Sequence, residues 1–207
     1  MVVSTRRGRG SPRPAFRAER TYRSILSAAA KVFPKRGFDG AQVPDIARAA
    51  GVSVGIVYRY FDDKREIFLE MLESHLNAAR AEVTARLSPE HFVGALPEDA
   101  IARVVGVVFE EAQRDPALAK VYLAVSLTDK DVAKMRIETE SSDRATVAAI
   151  LEATVSRDRV PDPIAAALVI ERAVQGVAVD CVIGSKTVTP EAAKAALQTM
   201  LVKWLLG

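Results

Sequence analysis

The sequence predicts an all-α protein of about nine helices, a short three-helix unit at the N-terminus followed by a longer helical one. Two observations carry this. Apolar residues return at three- and four-residue spacing along almost the whole chain after residue 17, and no segment alternates apolar and polar side chains as a half-buried strand does. A third supports it: glycines, prolines and capping residues interrupt the pattern at intervals that suit helices. The 207 residues suffice for one large domain or two small ones, with a core that needs no disulfide or metal staple.

Residues 1–16 are Arg, Gly, Ser and Pro with almost nothing to bury, the composition of a flexible basic arm. From Arg17 the stripe Tyr22, Ile25, Leu26, Ala29, Val32 and Phe33 marks a first helix, with Gly37 placed to stop it and Pro34 expected to end it early or bend it. A second helix runs from Pro44 to Ala50 on Val43, Ile46, Ala47 and Ala50, and ends at Gly51. Ser53 then supplies an N-cap oxygen for a third helix, Val54 to Tyr60. Two helices joined by a three-residue turn containing glycine form a helix-turn-helix.

Asp63 with Glu66 three residues later reads as a capping box, opening a fourth helix over 64–87 whose stripe is Ile67, Phe68, Met71, Leu72, Leu76, Ala79 and Val83. These elements divide the chain into an arm (1–16), a helix-turn-helix domain (17–65) and a helical domain (66–207), the fourth helix linking the last two. Ser88-Pro89 and Leu96-Pro97 bracket a connection, after which helices are expected near 98–114, 116–127, 130–157, 162–184 and 190–206.

The net charge of +3 conceals a division. Residues 1–65 hold 14 Lys/Arg against 5 Asp/Glu, and residues 66–207 hold 15 against 21, so a +9 head precedes a −6 body. Such a head can neutralise phosphates while the body stays in solution. Residues 21–65 alone still carry 8 basic and 4 acidic side chains, so the arm is not the whole source. The lone Cys181 excludes an intramolecular disulfide, and Glu171, Arg172, Gln175 and Asp180 interrupt the longest apolar run. With no leader or anchor readable, a cytoplasmic protein away from membranes is expected.

The segment Ile46 to Phe68, IARAAGVSVGIVYRYFDDKREIF, resembles the DNA-binding signature of the TetR family of bacterial regulators. The resemblance covers residues 17–70, including Arg36-Gly37-Phe38. Beyond that the chain resembles the family in length and helical layout. It implies a homodimer that binds double-stranded operator DNA and releases it when a small, largely apolar effector enters the C-terminal domain. Tyr58, Tyr60 and Lys64 would hold the DNA backbone, while Val54, Gly55 and Arg59 would face bases. The chain departs from the family at Ala41 and Gln42, where many members carry two threonines. The second of those usually caps the next helix and contacts a phosphate, and Gln42 is a poor cap.

The residue types make physical sense without the family. Ala47 and Gly51 are small where two helices cross, and Ile46, Val52, Val57 and Phe61 can fix the crossing by burial. A plain helical hairpin explains those positions equally well, but not Gly55, which costs ~1 kcal/mol of helix propensity relative to alanine. Tyr58, Arg59 and Tyr60 are consecutive and cannot all be buried. An arginine fork matches guanine in a major groove, and tyrosine hydroxyls suit phosphate oxygens.

In the C-terminal half, the helix over 162–184 is apolar nearly all round and the last helix has one apolar face. Both are expected to meet their copies in a four-helix interface using Ala166, Glu171, Arg172, Ala173, Gly176, Leu197, Leu201, Trp204 and Leu205, with Glu171 and Arg172 as interface ion pairs. Val105, Val108, Phe109, Tyr122, Val147, Ile150 and Leu151 are the candidate lining of a mostly apolar effector pocket. No metal-ligand cluster, phosphate-cradling loop or nucleophile motif is readable, so neither a cofactor nor enzymatic activity is expected. Two other classes remain: a helical ligand-binding or adaptor protein without sequence-specific DNA binding, and an all-α enzyme whose titratable groups meet in space.

Overall fold

The computed structural model describes residues 14–92, 94–183 and 188–207, and their regular structure is helical throughout. The helices are α1 (Pro14–Gly40), α2 (Val43–Ala50), α3 (Val54–Val57), α4 (Lys64–Arg86), α5 (Pro97–Ala112), α6 (Pro116–Ser126), α7 (Lys130–Thr154), α8 (Pro163–Ile183) and α9 (Pro190–Leu206), with a 3₁₀ turn at Pro89–Phe92. Most of the expected arm, residues 1–13, lies outside the described residues, and its last three positions already belong to α1. Two compact units divide between Met71 and Leu72, inside α4.

The first unit is built on a core of Ile25, Ala29, Phe33, Ile46, Val57, Ile67 and Phe68, each without solvent exposure. Phe68 stands edge-on to Phe33 and Phe38 at centroid separations of 4.9 and 5.1 Å, an arrangement favoured by the ring quadrupoles. The early turns of α4 therefore belong to this core, and that is why the unit extends past residue 65.

Local chemistry sets the element ends. Helix α1 continues through Pro34 and turns only at Gly37, whose φ of 70° lies in the left-handed region that suits glycine. The buried Val32 and Phe33 hold that turn of helix although proline donates no amide hydrogen bond. Gln42 makes no side-chain cap to α2, and Pro44 occupies the first turn, where a missing N–H costs nothing. Ser53 Oγ accepts from Ile56 N and starts α3, which ends at Val57 and not at Tyr60. Tyr58–Tyr60 continue as a tightened turn in which Arg59 N donates to Ile56 O and Tyr60 N to Val57 O, at 3.2 and 3.0 Å. Asp63 Oδ1 accepts from Glu66 N at 2.8 Å, while the Glu66 carboxylate reaches back to Asp62 N, one residue earlier than a capping box requires.

In the second unit the later turns of α4 are followed by α5 to α9. The core joins Val105 and Phe109 of α5, Leu151 of α7, Ala167, Ile170 and Val174 of α8, and Leu197, Leu201 and Leu205 of α9. Side-chain oxygens of Asp115, Asp129 and Thr189 cap α6, α7 and α9. No helix among the described residues is long and apolar enough to cross a membrane.

Within one chain this packing already buries five of the nine residues expected at a chain–chain interface. Ala166, Glu171, Leu197, Leu201 and Leu205 are buried within one chain, because the apolar stripe of α9 is taken up by α5 and α8. Glu171 accepts from Arg144 Nε at 2.9 Å, and Arg172 donates to Glu140 at 2.7 Å, so both are ion-paired inside the chain. Of the nine, Arg172, Gly176 and Trp204 are exposed and Ala173 is half-buried. The large apolar side chains left exposed on these helices are Ile164, Leu168 and Val169 on α8 and Met200 and Trp204 on α9.

Candidate nucleic-acid interface and ligand cavity

The helix-turn-helix exposes what the sequence assigned to its outer face. Val57 and Phe61 point into the core on either side of Tyr58, Arg59 and Tyr60. Tyr58 is 53% exposed, Arg59 is exposed, and Tyr60 is half-buried with its ring 6.4 Å from that of Tyr22. Tyr22 stacks on Phe61 at 5.3 Å and donates its hydroxyl proton to Glu70 at 2.7 Å, so the aromatic run is braced from below. No carboxylate among the described residues pairs with Arg59.

Around that turn, Gln42, Ser53 and Gly55 are exposed and Val54 is half-buried. A Cβ added at Gly55 would meet nothing within 4 Å, so no contact inside the chain demands glycine there. Asp45, mostly buried, accepts from Arg36 at 3.0 Å and lies 3.6 Å from Arg48. Arg36 thereby ties the end of α1 to α2, while Arg48 pairs with Asp45 within α2.

Lys64 has a structural role that the sequence did not reveal. Its ammonium donates to the carbonyls of Phe38, Asp39 and Ala41 at 2.9, 3.0 and 3.3 Å, and lies 4.9 Å from the centre of the Phe38 ring. It closes the carbonyl end of α1. All three of its donors have acceptors, so what Lys64 offers a phosphate is charge and not an unspent hydrogen bond.

The second unit holds a cavity of about 290 Å³ among residues of α4, α5, α6, α7 and α8. Most of its wall is apolar, as expected, including Leu72, Leu76, Val83, Val108, Leu118 and Val174. Val108, Tyr122 and Val147 of the expected lining are there. Val105 of α5 and Ile150 and Leu151 of α7 instead line a separate apolar void of about 50 Å³ shared with Leu201 and Leu205 of α9, and Phe109 is buried in the core.

The cavity wall also has a polar part, a feature absent from the sequence expectation. Arg80, Tyr122, Asp143 and Glu171 make it up, and Glu111 also lines the cavity. Burial pushes the Tyr122 hydroxyl up to about 12, and its oxygen has no hydrogen-bond partner. Burial likewise raises the Asp143 carboxyl above its ordinary value, opposed by Arg80 and reinforced by the Glu171 and Glu140 charges. A signal for this face was present: Thr139, Ser142, Asp143, Thr146 and Val147 recur at helical spacing along α7, a polar stripe where a core-facing one is apolar. No group of three or more His, Cys, Asp or Glu among the described residues is arranged to hold a metal ion.

Comparison with known proteins agrees with this anatomy. The family described as "Bacterial regulatory proteins, tetR family" matches residues 25–71, from the buried stripe of α1 to the end of the first unit's core. The chain is 32% identical over 113 residues to the HTH-type transcriptional repressor NicS of Pseudomonas putida, covering 55% of this chain and 51% of that protein. It thus spans about half the length of that curated relative. A transcriptional regulator from Rhodococcus sp. Rha1 superposes with a TM-score of 0.68 at 24% identity, over 91% of this chain and 97% of the other. A regulator from Saccharomonospora viridis, solved in complex with choline, superposes with a TM-score of 0.71 at 17% identity, over 89% and 96%. These likenesses extend the shared fold through the second unit.

Proposed function

We propose that this chain is a regulator of the TetR family, a sequence-specific DNA-binding transcriptional repressor that leaves its operator when a small molecule fills the second unit's cavity. The observation that carries the reading is the Tyr58-Arg59-Tyr60 turn, anchored by Val57 and Phe61, with Tyr58 and Arg59 exposed and the Arg59 guanidinium unpaired among the described residues. Arg59 reads a base edge; Tyr58 and Tyr60 hold phosphates; Gln42, Ser53, Val54 and Gly55 form the rest of the contact face, with Lys64 adding positive charge.

The regulator acts as a homodimer. Leu168 and Val169 of α8 and Met200 and Trp204 of α9, with Arg172, Ala173 and Gly176, form the joining face, which buries apolar surface that one chain leaves in water. Two-fold symmetry presents two recognition segments to a palindromic site. Ligand control needs only differential affinity: an effector that binds more tightly to the form mismatched to DNA lowers operator affinity in proportion. Helix α4 supplies Ile67 and Phe68 to the DNA-binding core and Leu76 and Arg80 to the cavity wall, so one continuous element belongs to both events.

The test is selection of bound sequences from a random duplex pool. The expected result is a palindromic consensus. Arg59→Ala should weaken binding to it by roughly 1–3 kcal/mol and relax one base position per half-site. Equal losses on selected and random duplexes would remove Arg59 from base reading.

A further inference from the structure

The polar part of the cavity wall combines an unmet acceptor with an excess of negative charge. Glu171 is only 6% exposed; Arg144 satisfies its Oε2, but its Oε1 has no hydrogen-bond partner, with Arg172 Nη2 3.9 Å away. A buried carboxylate oxygen left bare is costly unless a donor arrives. Asp143 lines the same cavity, next in sequence to the arginine that holds Glu171, and no side chain among the described residues bonds or ion-pairs with it.

The other charges can be assigned. Glu111 is 2.9 Å from Arg114, and Asp115 is spent on the N-terminus of α6. Arg80 is the guanidinium in the wall; its Nη2 is turned to Thr139 at 3.4 Å, and its buried Nε has no hydrogen-bond partner. Four wall carboxylates thus share the wall with one guanidinium, Arg80, while Arg114, Arg144 and Arg172 reach Glu111 and Glu171 from behind, and Asp143 is the carboxylate without a bonded partner. The burial that raises its carboxyl would be offset by a cation brought into the cavity.

We propose that the cavity takes a compact organic cation, a protonated amine on an apolar body, with the ammonium between Asp143 and Glu171 and the Tyr122 hydroxyl oxygen as a third acceptor. The apolar body lies along Leu72, Leu76, Val83 and Val108. At about 290 Å³ the space sits near the lower end of the roughly 300–1,000 Å³ typical of small-molecule sites, which sets the scale of the body. An anion could take the open Arg80 Nε but would face the four wall carboxylates, and a neutral body would leave Asp143 and Glu171 Oε1 without a countercharge. This assignment rests on the proposed effector role of the cavity for its biological meaning, but not for its measurement.

The probes are octylamine, octanol and octanoate, which share one apolar body and differ in the charge of the head. Each is titrated calorimetrically into the full chain at neutral pH without DNA. Octylamine should bind roughly tenfold or more tightly than octanoate, with octanol between them. Asp143→Asn and Glu171→Gln should each lower octylamine affinity about tenfold and leave octanol affinity within about twofold of the parent, which also reports an intact cavity. Equal affinity for the three, a preference for octanoate, no saturable octylamine uptake, or unchanged octylamine affinity in both variants overturns the assignment. Octylamine that binds with the stated preference yet leaves affinity for the selected duplex unaltered supports the cation site and overturns the release step of the regulator reading.

Discussion

Lys64→Met separates two roles for one ammonium. Methionine keeps the length and apolar stem of the side chain and removes the charge and all three donors. The carbonyls of Phe38, Asp39 and Ala41 then lose a partner at 2.9, 3.0 and 3.3 Å, two of them in partly buried surroundings. Hydrogen bonds to a charged group contribute roughly 1.5–3 kcal/mol where they are made in the interior. Here one half-buried ammonium serves three acceptors, so the set, the Phe38 ring's ~0.5 kcal/mol included, is worth about 2 kcal/mol in all.

A loss of ~2 kcal/mol is a factor of about 30 in the folded-to-unfolded ratio. In urea denaturation followed by far-ultraviolet circular dichroism, it should lower the midpoint of the transition that includes the first unit by about 1 M. The salt dependence of DNA binding by the folded variant should flatten by less than about one unit of slope, since no dedicated hydrogen bond to phosphate is lost. An unaltered midpoint together with a slope reduced by about one would refute the capping role and return Lys64 to the phosphate backbone.

Phe68→Ala should cost roughly 3–5 kcal/mol, because the ring has no exposure and meets both Phe33 and Phe38; differential denaturation of the variant checks it, and a loss under ~1 kcal/mol would mean α4 does not complete the first unit's core. Met200→Glu with Trp204→Glu places two charges on an exposed apolar face, and sedimentation should report monomers at concentrations where the parent is a dimer; a dimer unaffected by both would move the joining face elsewhere. Asp143→Asn should stabilise the ligand-free chain at neutral pH. Its carboxyl is raised by burial, so ionisation as pH climbs above the ordinary 3.8 of the unfolded chain is paid for by the folded state, and the asparagine removes that cost. The gain over the parent should shrink as pH falls toward 3.8, and a gain independent of pH would point to packing instead.

What was readable in the sequence and what was not divide along a physical line. Helix periodicity, the Ser53 and Asp63 caps, the glycine at residue 51 and the outward tyrosines and arginine depend on neighbours within a few residues, and such interactions are encoded locally. Gly37 ends the first helical run as its sequence suggests, but Pro34 does not end it early because Val32 and Phe33 anchor that stretch, and α3 stops short because Tyr58–Tyr60 tighten into a turn once Val57 and Phe61 are buried.

The sequence by itself determined an all-α chain with a basic helix-turn-helix head, since composition and spacing suffice for both. Only the tertiary structure decided which apolar stripe of α9 faces its own chain, that Glu171 and Arg172 find partners on α7, and that Lys64 closes the end of α1. It also decided that Asp143 and Glu171 share a cavity with Arg80 and Tyr122. Each of these joins residues more than twenty positions apart, and a one-dimensional pattern tells which faces must be buried but not which partner buries them.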